Sequence, residues 1–305
     1  MWILLTSIYA IIIGVYNVTR KAAADRSSIF FVLALSSSVG FAVSCFGAAE
    51  AVTCDWQGIL FFLLKSVIVF AAWVFQLYAF KNYFISSLQP ISAIKVLISF
   101  VASLLIFNEP VIWWKFFGVA IIFVGLILLN QFERKHMDER YLSKTLQNTE
   151  EQRAEYEKLK KRRLLAIIFF TLSCVLNETS GILDKVFMDS YTPAQMQFFF
   201  MLFLSVLGWI CVFVISIKNR KMIITKKDWG NWLIYLSGIL IVVADRLLFT
   251  ALTYENVLVS AVSIIKQLST VVSVVFGGLL YKEPNLKYKL IFLAAILVGI
   301  VIVLI

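Results

Sequence analysis

Residues 109–125 read EPVIWWKFFGVAIIFVG, and residues 283–299 read EPNLKYKLIFLAAILVG. Laid over one another without a gap, they share Glu109-Pro110 with Glu283-Pro284, Lys115 with Lys289, Ala120 with Ala294, and Val124-Gly125 with Val298-Gly299. An acidic residue followed by proline suits a helix start, because the first turn needs no amide from proline and the helix dipole favours a negative charge there. Two such starts, each opening a long apolar run, divide the chain into two comparable halves.

Other matches lie upstream. A shift of three residues brings Ser92-Ala93-Ile94-Lys95 over Ser263-Ile264-Ile265-Lys266, and Asn17-Val18-Thr19 falls on Asn177-Glu178-Thr179. Apolar runs match one another easily, so no single pair decides anything. Their common order favours a duplication, the first thing to look for in a chain of this kind.

Composition sets the solvent. With 61% hydrophobic and 15% charged residues and a mean hydropathy of +0.90, the chain is far more apolar than soluble proteins. Its apolar runs have the length a helix needs to cross a bilayer core of roughly 30 Å. We place ten spans at 2–19, 28–48, 56–80, 86–107, 112–131, 163–187, 194–217, 229–251, 257–280 and 286–305. The expected fold is therefore all-α integral membrane, with residues 1–131 as the first five-helix repeat, 132–162 as a charged connector and 163–305 as the second repeat. Five spans is an odd number, so the second repeat enters from the opposite face and the repeats are inverted. The first run lacks a basic leader and a small-residue cleavage site, so it is expected to stay. In the connector Glu157 and Lys161 stand at i, i+4, as do Glu151 and Glu155, while Glu155 and Lys158 stand at i, i+3, a spacing that suits a solvated helix.

Two five-helix units, each with a Glu-Pro turn and a closing Val-Gly, together with IIIGVYNVTRKAA at 11–23, resemble the drug/metabolite transporter superfamily in its ten-helix, EamA-type form. The resemblance covers essentially the whole chain. It implies a transporter rather than an enzyme, working in a bacterial plasma membrane on a small-molecule substrate, without a cofactor. The long charged connector and the mid-span lysines depart from the family's general pattern, so the resemblance does not carry over a substrate.

Those lysines, Lys95 in ISAIKVLISFV and Lys266 in VSIIKQLSTVV, lie near the midpoints of their runs. A charge there costs about 2.5 to 3.5 kcal/mol on insertion scales and is too deep to snorkel out. Ser92 and Ser99 flank Lys95 at i−3 and i+4, as Ser263 and Thr270 flank Lys266, so each amine sits in a polar stripe on one helix face. We expect the two stripes, with Asn17 and Asn177, to line a midplane cavity between the repeats. An amine pair there favours an anionic or zwitterionic solute. The competing reading is structural: the lysines are neutralised by Glu178, Asp184 and Asp245, with Lys65 and Arg246 as further deep cations.

The function expected is a secondary transporter, proton-coupled or an exchanger, of a small polar, anionic or zwitterionic metabolite. Glu178 and Asp245 are the candidate coupling carboxylates, since the single histidine, His136, lies in the connector. The alternatives are a flippase for a lipid-linked substrate and a non-transporting scaffold. No phosphate-binding glycine loop and no nucleophile with its base occurs, so neither ATP-driven transport nor catalysis is expected. Cys45, Cys54, Cys174 and Cys211 lack metal-ligand spacing, and a Cys45–Cys54 disulfide requires an oxidising compartment. The NVT and NET triplets fall within helices, and FFFMLF at 198–203 reads as packing or lipid-facing surface.

The net charge of +10 reports topology rather than nucleic acid. The basic loops are those with Arg20, Lys21 and Arg26; Lys158, Lys160, Lys161, Arg162 and Arg163; Lys218, Arg220, Lys221, Lys226 and Lys227; and Lys282 and Lys287. The opposite loops carry Glu50, Asp55 and Glu255. Positive loops stay cytoplasmic, which puts both termini outside, whereas the resemblance implies cytoplasmic termini.

Overall fold

The computed structural model describes residues 1–106, 113–144, 150–220, 224–254 and 257–304. Glu109, Pro110, Lys221, Glu255 and Ile305 lie outside them, as do the side chains of Lys115 and Glu151. The described residues are helical, with no strand. In chain order the helices are α1 (Trp2–Arg26), α2 (Ile29–Ser44), α3 (Ala48–Ala51), α4 (Trp56–Asn82), α5 (Ile85–Leu88), α6 (Ile94–Leu105), α7 (Trp113–Lys144), α8 (Glu150–Met188), α9 (Pro193–Lys218), α10 (Lys226–Trp229), α11 (Trp232–Leu252), α12 (Val259–Lys266), α13 (Leu268–Leu280) and α14 (Leu286–Leu304). Short 3₁₀ turns occupy Cys45–Gly47 and Gln89–Ala93.

The starts follow from local chemistry. Asp55 accepts from the Gly58 amide at 3.0 Å to open α4. Thr192 and Gln195 exchange hydrogen bonds around Pro193 to open α9. Both satisfy amides that a helix N-terminus leaves without a partner. The start of α5 uses a distant residue instead. The Ile85 and Ser86 amides each donate to the Glu283 carboxylate at 2.9 Å. Lys282 and Asn285 hold positive φ values of 49° and 58° around Glu283-Pro284, and this tight reversal presents the carboxylate to α5. Glu283 thus caps a helix of the other half, rather than only preceding α14 as its sequence position suggested.

Among the described residues, eight helical runs are long and apolar enough to cross a membrane, three of them (Ile29–Ala51, Ile85–Ala102 and Ala261–Leu280) joining successive helices, with Phe116–Phe132 a shorter apolar stretch of α7. The ten full spans read from the sequence are therefore found only in part among the described residues. Helix α1 packs on α11 and α13, α8 on α4 and α6, α4 on α9, α2 on α9 and α11, and α7 on α14. A buried core runs through α1, α2, α4, α8, α9 and α11. A smaller one, including Val96, Phe100, Ile122, Ile264 and Ile296, joins α6 and α12 to α7 and α14. Small residues set the closest approaches, as expected where lipid removes the hydrophobic drive and packing must hold helices together. A Cβ on Gly125 would lie 2.7 Å from Ile296, and one on Gly299 would lie 2.9 Å from the Gly118 carbonyl oxygen. The glycines of the two Val-Gly pairs thus sit in the contact between α7 and α14, while Val124 and Val298 are exposed.

Several expectations change. α1 runs to Arg26, so Arg20 and Lys21 are buried helix residues, not loop charges, and Arg163 is buried as well. The charged connector is helical over its described residues, continuing α7 and leading into α8, and Glu157 pairs with Lys160 at 3.7 Å rather than with Lys161. Both lysine-bearing spans are broken: the first by the 3₁₀ turn that ends at Ala93, two residues before Lys95, the second at Gln267, immediately after Lys266. All four cysteines are free.

Candidate functional site

The broken spans meet at the centre of the molecule. Ser92 and Thr270 are hydrogen-bonded at 2.7 Å, and both hydroxyls also reach Gln267 Oε1, at 3.1 and 3.2 Å. The Ser99 and Ser263 hydroxyls lie 2.6 Å apart and both reach Glu178 Oε1, Ser263 at 2.6 Å, so their two protons are shared among three contacts. The serines and threonine expected to line a cavity therefore bind one another across the halves. Helix interruption makes this affordable: a 3₁₀ turn or break frees backbone groups that hydroxyl and amide side chains can satisfy.

Between these contacts and α1, α4, α8, α9 and α11 lies a cavity of about 120 Å³. Its lining includes Asn17, Ser92, Lys95, Asn177, Glu178, Asp245, Ser263 and Lys266 from the expected set. Ser99 and Thr270 stand behind it, holding Ser263 and Ser92. Asn17 is tied to Ser273 at 3.3 Å, and Asn177 to Ser173 Oγ at 3.1 Å.

Ionic residues line it in equal numbers: Lys65, Lys95 and Lys266 against Glu178, Asp184 and Asp245. Arg246, expected among the deep cations, is exposed. The four deep cations and three deep acids named from the sequence thus become three of each in the cavity. Lys65 pairs with Asp184, and its ammonium lies 4.5 and 4.8 Å from the Phe200 and Phe249 ring centres, where ring quadrupoles favour a cation. Lys266 stands 3.9 Å from Glu178 Oε2. Among the described residues, Lys95 and Asp245 have no ion-pair partner, and Asp245 Oδ2 is buried with no hydrogen bond. The two lysines that looked equivalent in sequence are thus unequal: Lys266 stands at ion-pair distance from Glu178, and Lys95 faces the same carboxylate from farther off. An acid stands beside Lys266, as the structural reading of the lysines expects, and none lies within ion-pair distance of Lys95 among the described residues.

Several lining residues escaped the sequence reading. Gln76, Gln89 and Gln267 place amides on the cavity, Tyr9 and Tyr16 place rings there, and Phe200 brings one residue of FFFMLF to its wall. Arg20, fully buried, donates to Tyr16 Oη at 2.7 Å and to Gln76 from behind. Tyr9, Ile13, Tyr16 and Arg20 recur at i, i+4, i+7 and i+11, the spacing of one helix face, so a signal existed. It was masked because Arg20 looked like the first residue of a basic loop.

A family model described as the EamA-like transporter family matches residues 1–131 and 164–305. A solved structure, described as the crystal structure of a protein, is similar to the chain with a TM-score of 0.66 at 12% identity, covering 98% of this chain and 96% of that one. At that identity it speaks for the fold alone. No curated protein matches at a significant level.

Proposed function

The chain belongs to the EamA-like transporter family, and from that premise we propose that it is a secondary transporter of a small zwitterionic metabolite. The carrying observation is the pair of unpartnered opposite charges, Lys95 and Asp245, on one buried cavity. An isolated charge in a low-dielectric interior is costly and is kept where a ligand or a translocated ion completes it. One ammonium and one carboxylate, neither within ion-pair distance of an opposite charge among the described residues, complement a solute with one charge of each sign. The volume of about 120 Å³, close to the roughly 150 Å³ of a cavity that holds a benzene-sized ligand, selects a small one.

The same geometry supplies a coupling step. Glu178 is committed to Lys266 and two hydroxyls, which leaves Asp245 as the carboxylate able to exchange its cargo. It can hold a proton or the solute's ammonium, but not both. Proton release on one side and solute release on the other then couple the two fluxes.

Movement rests on the repeat. Under the sequence alignment Ser92 corresponds to Ser263 and Ser99 to Thr270, so exchanging the halves turns the Ser92–Thr270 bond into the Ser263–Ser99 bond. The same exchange turns α1 on α11 into α8 on α4, and α2 on α11 into α9 on α4, while α7 on α14 maps onto itself. Such reciprocal contacts are the mark of a two-fold relation. They support ten spans in two inverted five-helix repeats, residues 1–131 and 163–305, rocking about the cavity. Counting Arg26, Lys160–Arg162, Lys226, Lys227, Lys282 and Lys287 as cytoplasmic puts both termini outside. A cytoplasm-only reporter fused to the C-terminus stays inactive on this account, and its activity would reverse the orientation. The chain is an integral membrane protein, and we place it in a bacterial plasma membrane.

The function is tested by counterflow in proteoliposomes. Labelled zwitterions, anions and cations of similar size are offered against each unlabelled one, with and without a pH gradient. Zwitterion exchange accelerated by the gradient is expected; exchange of cations alone would refute the assignment.

A further inference from the structure

A second cavity, of about 470 Å³, opens at the end of the bundle where α1 and α4 finish and α14 begins. Its wall carries Lys21, Lys81, Arg162 and Lys289 against a single acid on the lining, Asp25. Lys21 and Lys289 share Glu283 behind them, at 3.6 and 4.0 Å. Lys81 and Arg162 are exposed and make no ion pair among the described residues. The chamber therefore has a surplus of positive charge facing its opening.

A third, apolar cavity of about 250 Å³ adjoins it, and the two share Tyr83 and Ser87. The apolar part of its lining is Ile91, Phe123, Leu126, Ile127, Leu129 and Ile167, with Asn130 beside them. Phe123 and Ile127 are 50% and 52% exposed on α7's apolar stretch, the kind of surface that hydrocarbon covers. A basic chamber joined through two shared residues to an apolar groove that opens on the hydrocarbon has the polarity of one kind of molecule.

We infer that these two cavities together form a binding site for an anionic phospholipid, with its phosphate among Lys21, Lys81, Arg162 and Lys289 and an acyl chain along Phe123, Leu126 and Ile127. A soluble anion has no use for the apolar arm, and a neutral lipid has none for the cations. The site lies on the basic side of the chain, where anionic lipids attract Lys and Arg by about 1 kcal/mol per charge. It is separate from the central cavity and does not depend on the transport reading.

The test is thermal unfolding of the full chain in detergent, titrated separately with phosphatidylglycerol, phosphatidylcholine and inorganic phosphate. Phosphatidylglycerol should raise the melting temperature in a saturable way and the other two should not, since a ligand of the folded state stabilises it by mass action. Replacing the two exposed cations, Lys81→Ala with Arg162→Ala, should raise the phosphatidylglycerol concentration needed by roughly 30-fold. Leu126→Trp, which fills the apolar arm, should weaken it as well. An equal shift with phosphatidylcholine would overturn the role of the cations, and an equal shift with phosphate would identify a soluble-anion site instead. An unchanged titration in the double variant would refute the site outright.

Discussion

The Lys266 ammonium stands 3.9 Å from the Glu178 carboxylate, and this pairing separates two lysines that the sequence presented as equivalent. Replacing Lys266 with Gln strands a buried carboxylate. The expected cost is about 2 kcal/mol, below the roughly 3 to 5 kcal/mol of a fully buried pair, because Ser99 and Ser263 still hold Glu178. Adding Glu178→Gln should restore the stability. Lys95→Gln should leave stability intact but weaken solute binding by about 1.5 to 3 kcal/mol, or roughly 10- to 100-fold. Equal behaviour of the two single variants, in both melting and binding, would contradict this division.

Glu283 joins the halves at the basic end. It accepts from the Ile85 and Ser86 amides and faces Lys21 and Lys289. Glu283→Gln keeps one acceptor but leaves two buried cations without their counter-charge. A loss of about 3 to 5 kcal/mol in detergent stability is expected. A loss under about 1 kcal/mol would show that the lysines find other partners, the range of a surface pair.

Asp228 gives a pH-dependent handle outside the membrane spans. Burial would raise its pKa, but the Thr225 hydroxyl and amide, each donating to it at 2.7 Å, hold the carboxyl below its usual range. Its contribution is thus present above the unfolded value of about 3.9 and is lost as pH falls through the folded one. Asp228→Asn should cost about 1 kcal/mol at pH 7, the scale of a helix cap, and progressively less as the pH falls through the carboxyl's lowered folded value. A difference independent of pH would mean that the charge is irrelevant.

The helical membrane class was legible from hydropathy, and the family from the Glu-Pro and Val-Gly spacing, because each rests on a local pattern. Eight of the ten cavity and coupling residues named from sequence line one cavity, because polar residues inside apolar runs have nowhere else to go. What could not be read was their pairing. Lys95 and Lys266 have near-identical neighbours in sequence, and only the fold shows that Glu178 reaches one of them. The breaks beside both lysines were likewise hidden, since Ser-Ala-Ile and Ser-Ile-Ile do not announce a lost helical turn. Arg20 was misplaced because a charge at the end of an apolar run reads as a boundary, while Tyr16 and Gln76 make it a buried residue.

The central claim is that Lys95 and Asp245 hold the two ends of a zwitterion, and the most direct test is a comparison of two affinities. A transported zwitterion and its deaminated analogue, which keeps the carboxylate and lacks the amine, are titrated into the native chain and into Asp245→Asn. The native chain should prefer the zwitterion by roughly 10- to 100-fold, the scale of one charge-assisted hydrogen bond, and Asp245→Asn should abolish that preference. A native chain that binds the deaminated anion as tightly as the zwitterion would contradict the account.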